Sequence, residues 1–512
     1  SDQKIILNKS MKTLKEIHKE LISKEKSVRE IVNESIEIIK NHEKRVNPNL
    51  DESKDINAIL GLFSEKFIDD QIEKAQNMID EGRANIFTGV PIILKDNILV
   101  EGEILSAGSK MLENYVATYD SSVVVKIKEA GGIILARANM DEFAMGSSTE
   151  NSAYGVVKNP IDTSRIPGGS SGGSAASVAY GAAPLSLGSD TGGSIRLPAA
   201  FCNLVGYKPS YGSVSRYGLM AMGSSLDQIG PFANTVEDAE EFFDLISFHD
   251  TKDATSISNS LRKQHGLAPF QERGADGNPS EGFLKKKIGI PKLLKDENLR
   301  KGMDKEILAD FENQIEKIKG AGYEIVDVDL PNMDKALAIY YVICPAEVSS
   351  NMGRYDGVRY GLSIPGKNTI ENFTNSRTAG FGDEVRRRIL LGTYILSAGY
   401  FDAFYNKAVI AREILKQEFQ KAFMSVEAIM TPTSSIFPWK FGEKSDPLAM
   451  YLADVFTVPA NIISCPSISI PTKKRENVNE NVLPIGIQLI GEILEDKKLF
   501  KIAREIEAII QK

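Results

Sequence analysis

The chain has 512 residues, 42% hydrophobic and 25% charged, with a formal charge of −8 and an isoelectric point of about 5.4. That length supports a large core, and the acidic balance argues against a broad non-specific nucleic-acid surface. The three cysteines, Cys202, Cys344 and Cys465, lie far apart without C-x-x-C spacing, which excludes a disulfide framework and predicts reduced core thiols with no metal site.

The first eighty residues or so read as helices. "SVREIVNESIEIIKNHEKRV" places Val28, Ile31, Val32, Ile36 and Ile39 on one face with charges opposite. "TGVPIILKDNILV" then gives a short apolar run, Val90 to Leu94, bounded by Gly89 and a polar "KDN", the pattern of a buried strand ending in a loop. "SSVVVKIKEAGGIILARANM" predicts a helix, a glycine stop and a strand at Ile133–Leu135. The alternation resumes through "KKIGIP", "GYEIVDVDL", "EAIMTPT", "SISIP" and "PIGIQLIG", and the chain closes on an amphipathic helix, "EDKKLFKIAREIEAIIQK". An α/β protein with one large mixed sheet is the expectation. Residues 1–512 read as a single domain, with a helical part over about 1–80 and a polar surface insertion at about 253–282. No run reaches the ~18–20 apolar residues of a membrane span. The charged N-terminal segment has no secretory core, so a cytoplasmic protein is expected, or an organellar one if a targeting segment has been removed. Basic clusters at Lys285–Lys287, Arg386–Arg388 and Lys473–Arg475 read as solvated surface.

One stretch stands apart: "IPGGSSGGSAASVAYGAAPLSLGSDTGGSIRLPAA", Ile166 to Ala200. A flexible Gly/Ser linker would lack its apolar residues. Small residues at close spacing predict instead a buried helix stopped near Gly181, then the strand "APLSLGSD", the turn "TGGS" and another helix start, where Pro198 is tolerated. A phosphate loop fails because no G-x-x-x-x-G-K-[ST] is present. The G-x-S-x-G letters around Ser170 and Ser171 carry little weight, because the preceding "NPIDTSRIP" reads as loop and not as the strand a nucleophile elbow needs. Ser194, after two glycines, suits a nucleophile at a strand-to-helix turn. The backbone amides of Thr191, Gly192, Gly193 and Ser194 suit an oxyanion hole. None of the four histidines, His18, His42, His249 and His265, follows a motif that would make it the base. A lysine neutralised by burial is the remaining candidate, and Lys95 ends an apolar strand.

Together "VPIILKDNI", "PGGSSGGSAA" and "GSDTGGSIRLPAAFC" resemble the amidase signature family in order and spacing. The resemblance implies an α/β fold with helices on both faces of the sheet. It implies Ser194 as nucleophile, Ser170 in a cis peptide as proton relay, and Lys95 as base, with Ser171 beside them to orient Lys95 or Ser170 or to meet substrate. Further stretches, "NMDEFAMGSSTENSAYG", "SRYGLMAMGSSLDQIGPF", "RYDGVRYG" and "EVRRRILLGTY", are similar to the branch of A subunits of glutamyl-tRNA(Gln) amidotransferases. That likeness implies a glutaminase whose substrate carboxylate and ammonium meet Arg387 and Asp454, with Tyr340 as pocket wall. It implies B and C partner subunits, with Glu-tRNA(Gln) engaged mainly through B. No cofactor is expected in this chain; ATP and Mg would serve the partner. Leu197, Asn203, Ser210 and Ser213 depart from the branch pattern, all outside the proposed chemical groups. A stand-alone hydrolase of small amides is the alternative.

Overall fold

The computed structural model describes residues 12–267, 286–443, 452–479 and 481–511. Among them eleven strands build one sheet: β1 (Ile59–Leu62), β2 (Pro91–Lys95), β3 (Ile133–Ala138), β4 (Leu185–Asp190), β5 (Val205–Lys208), β6 (Gln228–Ala233), β7 (Lys287–Pro291), β8 (Glu324–Val328), β9 (Ala428–Pro432), β10 (Ser467–Pro471) and β11 (Gly486–Ile490). Their order is β1-β3-β2-β4-β6-β5-β10-β11-β9-β7-β8. β2 runs parallel to β3 and β4, and β7 runs parallel to β8 and β9. The remaining pairs are antiparallel, which makes the sheet mixed, as the alternating sequence pattern predicts.

Apolar runs mark β2, β3, β4 and β7 to β11 in the sequence. They pass over β1, β5 and β6. β1 is a four-residue edge strand inside the stretch read as helical. β5 and β6 carry glycine or proline, which break the apolar pattern. Every residue of β2 and β4 is buried, as strands covered on both faces require. The two are neighbours in register, with Leu94 opposite Leu187. Lys95 therefore ends β2 close to the level at which β4 delivers Ser189 and Asp190. Loops beyond the carboxyl ends of such strands are where open α/β sheets place their chemistry.

The helix Gly172–Ala179 is buried at every position. Its Ala175, Val178 and Ala179 pack with Ile195, Ala199, Cys202 and Phe232, which is why so many of its side chains are small. The helix Val28–Lys40 buries Val28, Ile31, Val32 and Ile39 on the expected face behind a Ser27/Glu30 capping box. The first half of the expected surface insertion is packed into the body. Arg262, 2% exposed, donates to the carbonyls of Ser213 at 3.0 Å and Ser247 at 2.6 Å, and Ile257 and Leu267 are buried. A polar composition hides this because main-chain oxygens take up the two Nη groups of the guanidinium. The second half, from residue 268, lies outside the described residues.

Two helices, Ala336–Asn351 and Asp383–Leu396, carry Tyr340 and Arg388, and Tyr340 reaches the loop after β4. They meet where Gly392 faces Pro345: a Cβ on Gly392 would lie 1.8 Å from the Pro345 carbonyl oxygen. The outer side of this region is apolar. Between Leu390 and Ile414, side chains including Leu390, Tyr394, Tyr400, Phe404, Ile410 and Ile414 are exposed. Helix propensity alone favours Gly392→Ala by ~1 kcal/mol. The contact reverses that sign, and denaturant unfolding is expected to show a loss of about 1–3 kcal/mol from overpacking.

Candidate active site

Lys95 is completely buried, and its amino group is ringed by hydroxyls. Nζ lies 2.7 Å from Ser170 Oγ, 2.8 Å from Ser171 Oγ and 2.9 Å from Ser189 Oγ. Among the described residues no carboxylate pairs with it. Burial drives its pKa down from 10.5 to about 7, against the weaker pull of Asp141, Asp190 and Asp227. The amine therefore loses its proton near neutrality, the state in which it can act as a base. Ser189 is the member of this ring that motif reasoning misses. Its one signal is register: with Leu94 opposite Leu187, Lys95 ends β2 level with Gly188 and so next to Ser189, although strand alternation puts Ser189 on the other face.

Ser194 follows β4 on the loop "DTGGS". From Ala182 to Ser210 it is the single residue that is not buried. Its Oγ accepts from the Ser170 amide N–H at 3.1 Å, and the Ser170 hydroxyl is turned to Lys95. All peptide bonds among the described residues are trans, which corrects the expected cis bond at Ser170. The trans form is favoured by roughly 3–4 kcal/mol before a non-proline residue, and here it already lets the Ser170 hydroxyl reach Lys95.

The loop owes its shape to a buried ion pair. Asp190 and Arg196, both without exposed side-chain surface, meet through Oδ1 and Nη2 at 2.9 Å and through Oδ2 and Nε at 3.1 Å. Arg196 also donates to Thr457 O at 2.7 Å, Gln488 Oε1 at 2.7 Å and Asn461 Oδ1 at 2.6 Å. Burial raises the Asp190 carboxyl, but Arg196 overrides it and leaves the value at about 2. The carboxylate takes the amides of Gly193 at 2.9 Å and Ile195 at 3.1 Å. Gly193 holds φ at +140°, and a Cβ there would strike Thr457 Oγ1 at 2.3 Å. Its amide is thus committed to Asp190, which removes it from the expected oxyanion set. The amides of Thr191, Gly192 and Ser194 have no intrachain hydrogen bond among the described residues.

Two other expected residues close on the same loop. Tyr340 is buried, with its ring 3.0 Å from a Cβ placed on Gly192, and Asp454 Oδ1 is 3.2 Å from a Cβ placed on Gly193. Asp454 accepts from Ser147 Oγ at 2.5 Å, and burial pushes its carboxyl up to about 7. Arg387 is placed differently. Its side chain is 49% exposed and paired with Glu384. The next residue, Arg388, is 3% exposed, bound to Glu384 Oε1 at 2.7 Å and set against the Tyr341 ring. Of the two arginines, Arg388 is the one whose charge acts on Tyr340 and Asp454. The surface reading of this basic cluster therefore fails at Arg388, because a helix turns successive residues by ~100° and hides one of three. Ser171, expected to touch substrate, is fully buried against Lys95 and Ser189 O. Three of the histidines bond elsewhere: His42 to Ile38 O, His249 to Ile257 O and His265 to Glu495. No group of three metal-ligating side chains occurs among the described residues.

A partly exposed serine on a glycine turn, with a buried lysine and no histidine beside it, is the arrangement of a serine–lysine hydrolase, here carried on an eleven-stranded mixed sheet. The Amidase family model matches residues 48–500, and the chain belongs to that family. It is 46% identical to the A subunit numbered 2 of the glutamyl-tRNA(Gln) amidotransferase of Clostridium acetobutylicum, over 88% of this chain and 91% of that one. It is 44% identical to the corresponding A subunit of Carboxydothermus hydrogenoformans over 96% of both chains. The crystal structure of the glutamyl-tRNA(Gln) amidotransferase A subunit from Thermotoga maritima superposes with a TM-score of 0.71 at 37% identity, over 94% of each chain.

Asp190→Asn would leave Arg196 charged and buried with its carboxylate gone. Loss of one partner of a buried pair costs about 3–5 kcal/mol. Equilibrium unfolding is expected to show a loss of that size, and unchanged stability would mean that the pair does not hold the loop.

Proposed function

We propose that this chain is the glutamine-hydrolysing component of a tRNA-dependent amidotransferase, releasing ammonia that a partner uses to convert Glu-tRNA(Gln) to Gln-tRNA(Gln). The observation that carries the reading is the buried Lys95 amine bonded to the Ser170 hydroxyl, one residue contact from the partly exposed Ser194. The likeness to amidotransferase A subunits over nearly the whole chain supports the substrate and the setting.

In this reading Ser194 Oγ attacks the side-chain amide carbon of glutamine and gives its proton to Ser170, which passes one to neutral Lys95. The Ser170 hydroxyl rotates towards Ser194 for this step, while Ser171 and Ser189 keep Lys95 in place. The amides of Thr191, Gly192 and Ser194 receive the developing oxyanion. The proton returns by the same route to the leaving nitrogen, ammonia departs, and water cleaves the glutamyl ester to glutamate. Asp454 suits the substrate ammonium. Arg388, rather than Arg387, suits the carboxylate, because it is the buried arginine on the Tyr340 side. The B and C subunits are the proposed partners, with ATP and Mg bound on the B side. The exposed apolar face between Leu390 and Ile414 supports work within an assembly.

The test is ammonia release from glutamine by the chain co-purified with B and C subunits. Ser194→Ala is expected to abolish it with the assembly intact. A Ser194→Ala protein that still turns over would sink the reading. Because Lys95 must be neutral, activity is expected to fall as pH drops through about 7. Protonation of Asp454 acts in the same direction. A rate that is flat from about pH 8 to about pH 5.5 would remove Lys95 as base. Arg388→Ala is expected to raise KM for glutamine at least ~10-fold, the scale of a lost charged hydrogen bond, with Arg387→Ala within about 2-fold of the parent. The reverse order would return the anchor to Arg387. Equal turnover of simple amides by Arg388→Ala and the parent, with no activity on glutamine in either, would favour a stand-alone amidase.

A further inference from the structure

Asp190 pins the C-terminal half of the Thr191–Ser194 loop through the amides of Gly193 and Ile195. The N-terminal half rests on a second carboxylate that the reaction does not consume. Asp227, 2% exposed, stands just before β6 in the stretch "SSLDQIGPF". Antiparallel pairing sets Asp190 opposite Gln228, so the residue after β4 meets the residue before β6. There Thr191 Oγ1 donates to Asp227 Oδ1 at 2.7 Å. The same carboxylate takes the amides of Met222 at 2.9 Å and Gly223 at 3.1 Å. Gly223 in turn backs onto Thr191: a Cβ on Gly223 would lie 3.3 Å from Thr191 Cγ2. Gly192 and Gly193 have no side chains, so Thr191 supplies the one side chain among the three residues before Ser194, while Thr457 Oγ1 donates to Gly192 O at 2.8 Å and Asp190 takes the Gly193 amide.

We propose that Asp227 is a positioning residue for the oxyanion hole, fixing through the Thr191 hydroxyl the direction in which the Thr191 and Gly192 amides point. Its contact with the loop is through Thr191, and its charge also holds up the Lys95 pKa through space. The proposal rests on Ser194 being the nucleophile. Deleting an oxyanion donor costs roughly 10²–10³ in kcat. Here the donors remain but lose their aim, so the expected loss is smaller, about 10–100-fold.

The experiment uses Thr191→Val, Asp227→Asn, the double variant and Thr191→Ser, in the assembled enzyme hydrolysing glutamine. Thr191→Val keeps the shape and removes the hydroxyl. Its kcat is expected to fall about 10–100-fold with KM within about 2-fold, since the hole acts on the transition state. Thr191→Ser restores the hydroxyl and is expected to recover most of that loss. The double variant is expected to be no slower than Asp227→Asn alone, because both remove one interaction. Thr191→Val at the parent rate, a loss confined to KM, or losses that multiply in the double variant would each overturn the proposal. Should Asp227→Asn fail to fold, the Thr191→Val and Thr191→Ser pair decides it. Ser194→Ala in the same assay separates the two levels. Turnover in that variant would refute the nucleophile, whereas full activity of Thr191→Val beside an inactive Ser194→Ala refutes only the role of Asp227.

Discussion

The site depends on one buried ion pair. Removing two charges from water costs several kcal/mol per ion, and the attraction between them offsets this only when every remaining hydrogen-bonding position is filled. Asp190 and Arg196 meet that condition. Arg196 is shared among Asp190, Thr457 O, Asn461 and Gln488, and Asp190 takes two loop amides besides Arg196 and Asn461 Nδ2. The pair does more than hold two side chains together. It draws the end of β4, the helix Arg196–Phe201, the helix Val458–Ile462 and β11 to one point, and so bends the chain between positions 190 and 196 into the shape that presents Ser194.

Lys95 obeys the opposite rule. A buried lysine with a carboxylate in contact would stay charged and useless as a base. This one is given hydroxyls from Ser170, Ser171 and Ser189, which accept from an ammonium and donate to an amine with equal ease. The carboxylates of Asp141, Asp190 and Asp227 act only through space and temper the desolvation without cancelling it. The contrast sets two basic side chains, both fully buried, in different surroundings. Arg196 is paired with a carboxylate. Lys95 is solvated by alcohols and poised near 7.

Much of this is legible in the sequence, and the limits have physical causes. The run Val90–Leu94 announces β2, and the small residues of the 172–179 segment announce a buried helix, because burial on all sides leaves an unbroken composition signal. Ser194 stands out as a serine after paired glycines. Asp190 and Arg196 sit in the same motif, yet their bond cannot be read there, since it depends on Asn461 and Gln488, which are remote in the chain. The choice between Arg387 and Arg388 is likewise invisible, because it turns on the rotation of the helix Asp383–Leu396 about Gly392, set by a contact with Pro345. β1 hides in a stretch whose neighbours are helical, and the glycines and proline of β5 and β6 break the pattern that the central strands keep.

The anchors of the serine loop span almost the whole polypeptide. Asn461 and Gln488 come near its end, after Lys95, Asp190 and Arg196 have long been in place along the chain. A nascent chain that has emerged only as far as β9 has Ser194 and Lys95 but lacks Thr457, Asn461 and Gln488, three of the four residues that fill the Arg196 fork. Contacts of such sequence separation form late and make folding slow. The shape of the serine loop is therefore set only when β10 and β11 enter the middle of the sheet between β5 and β9.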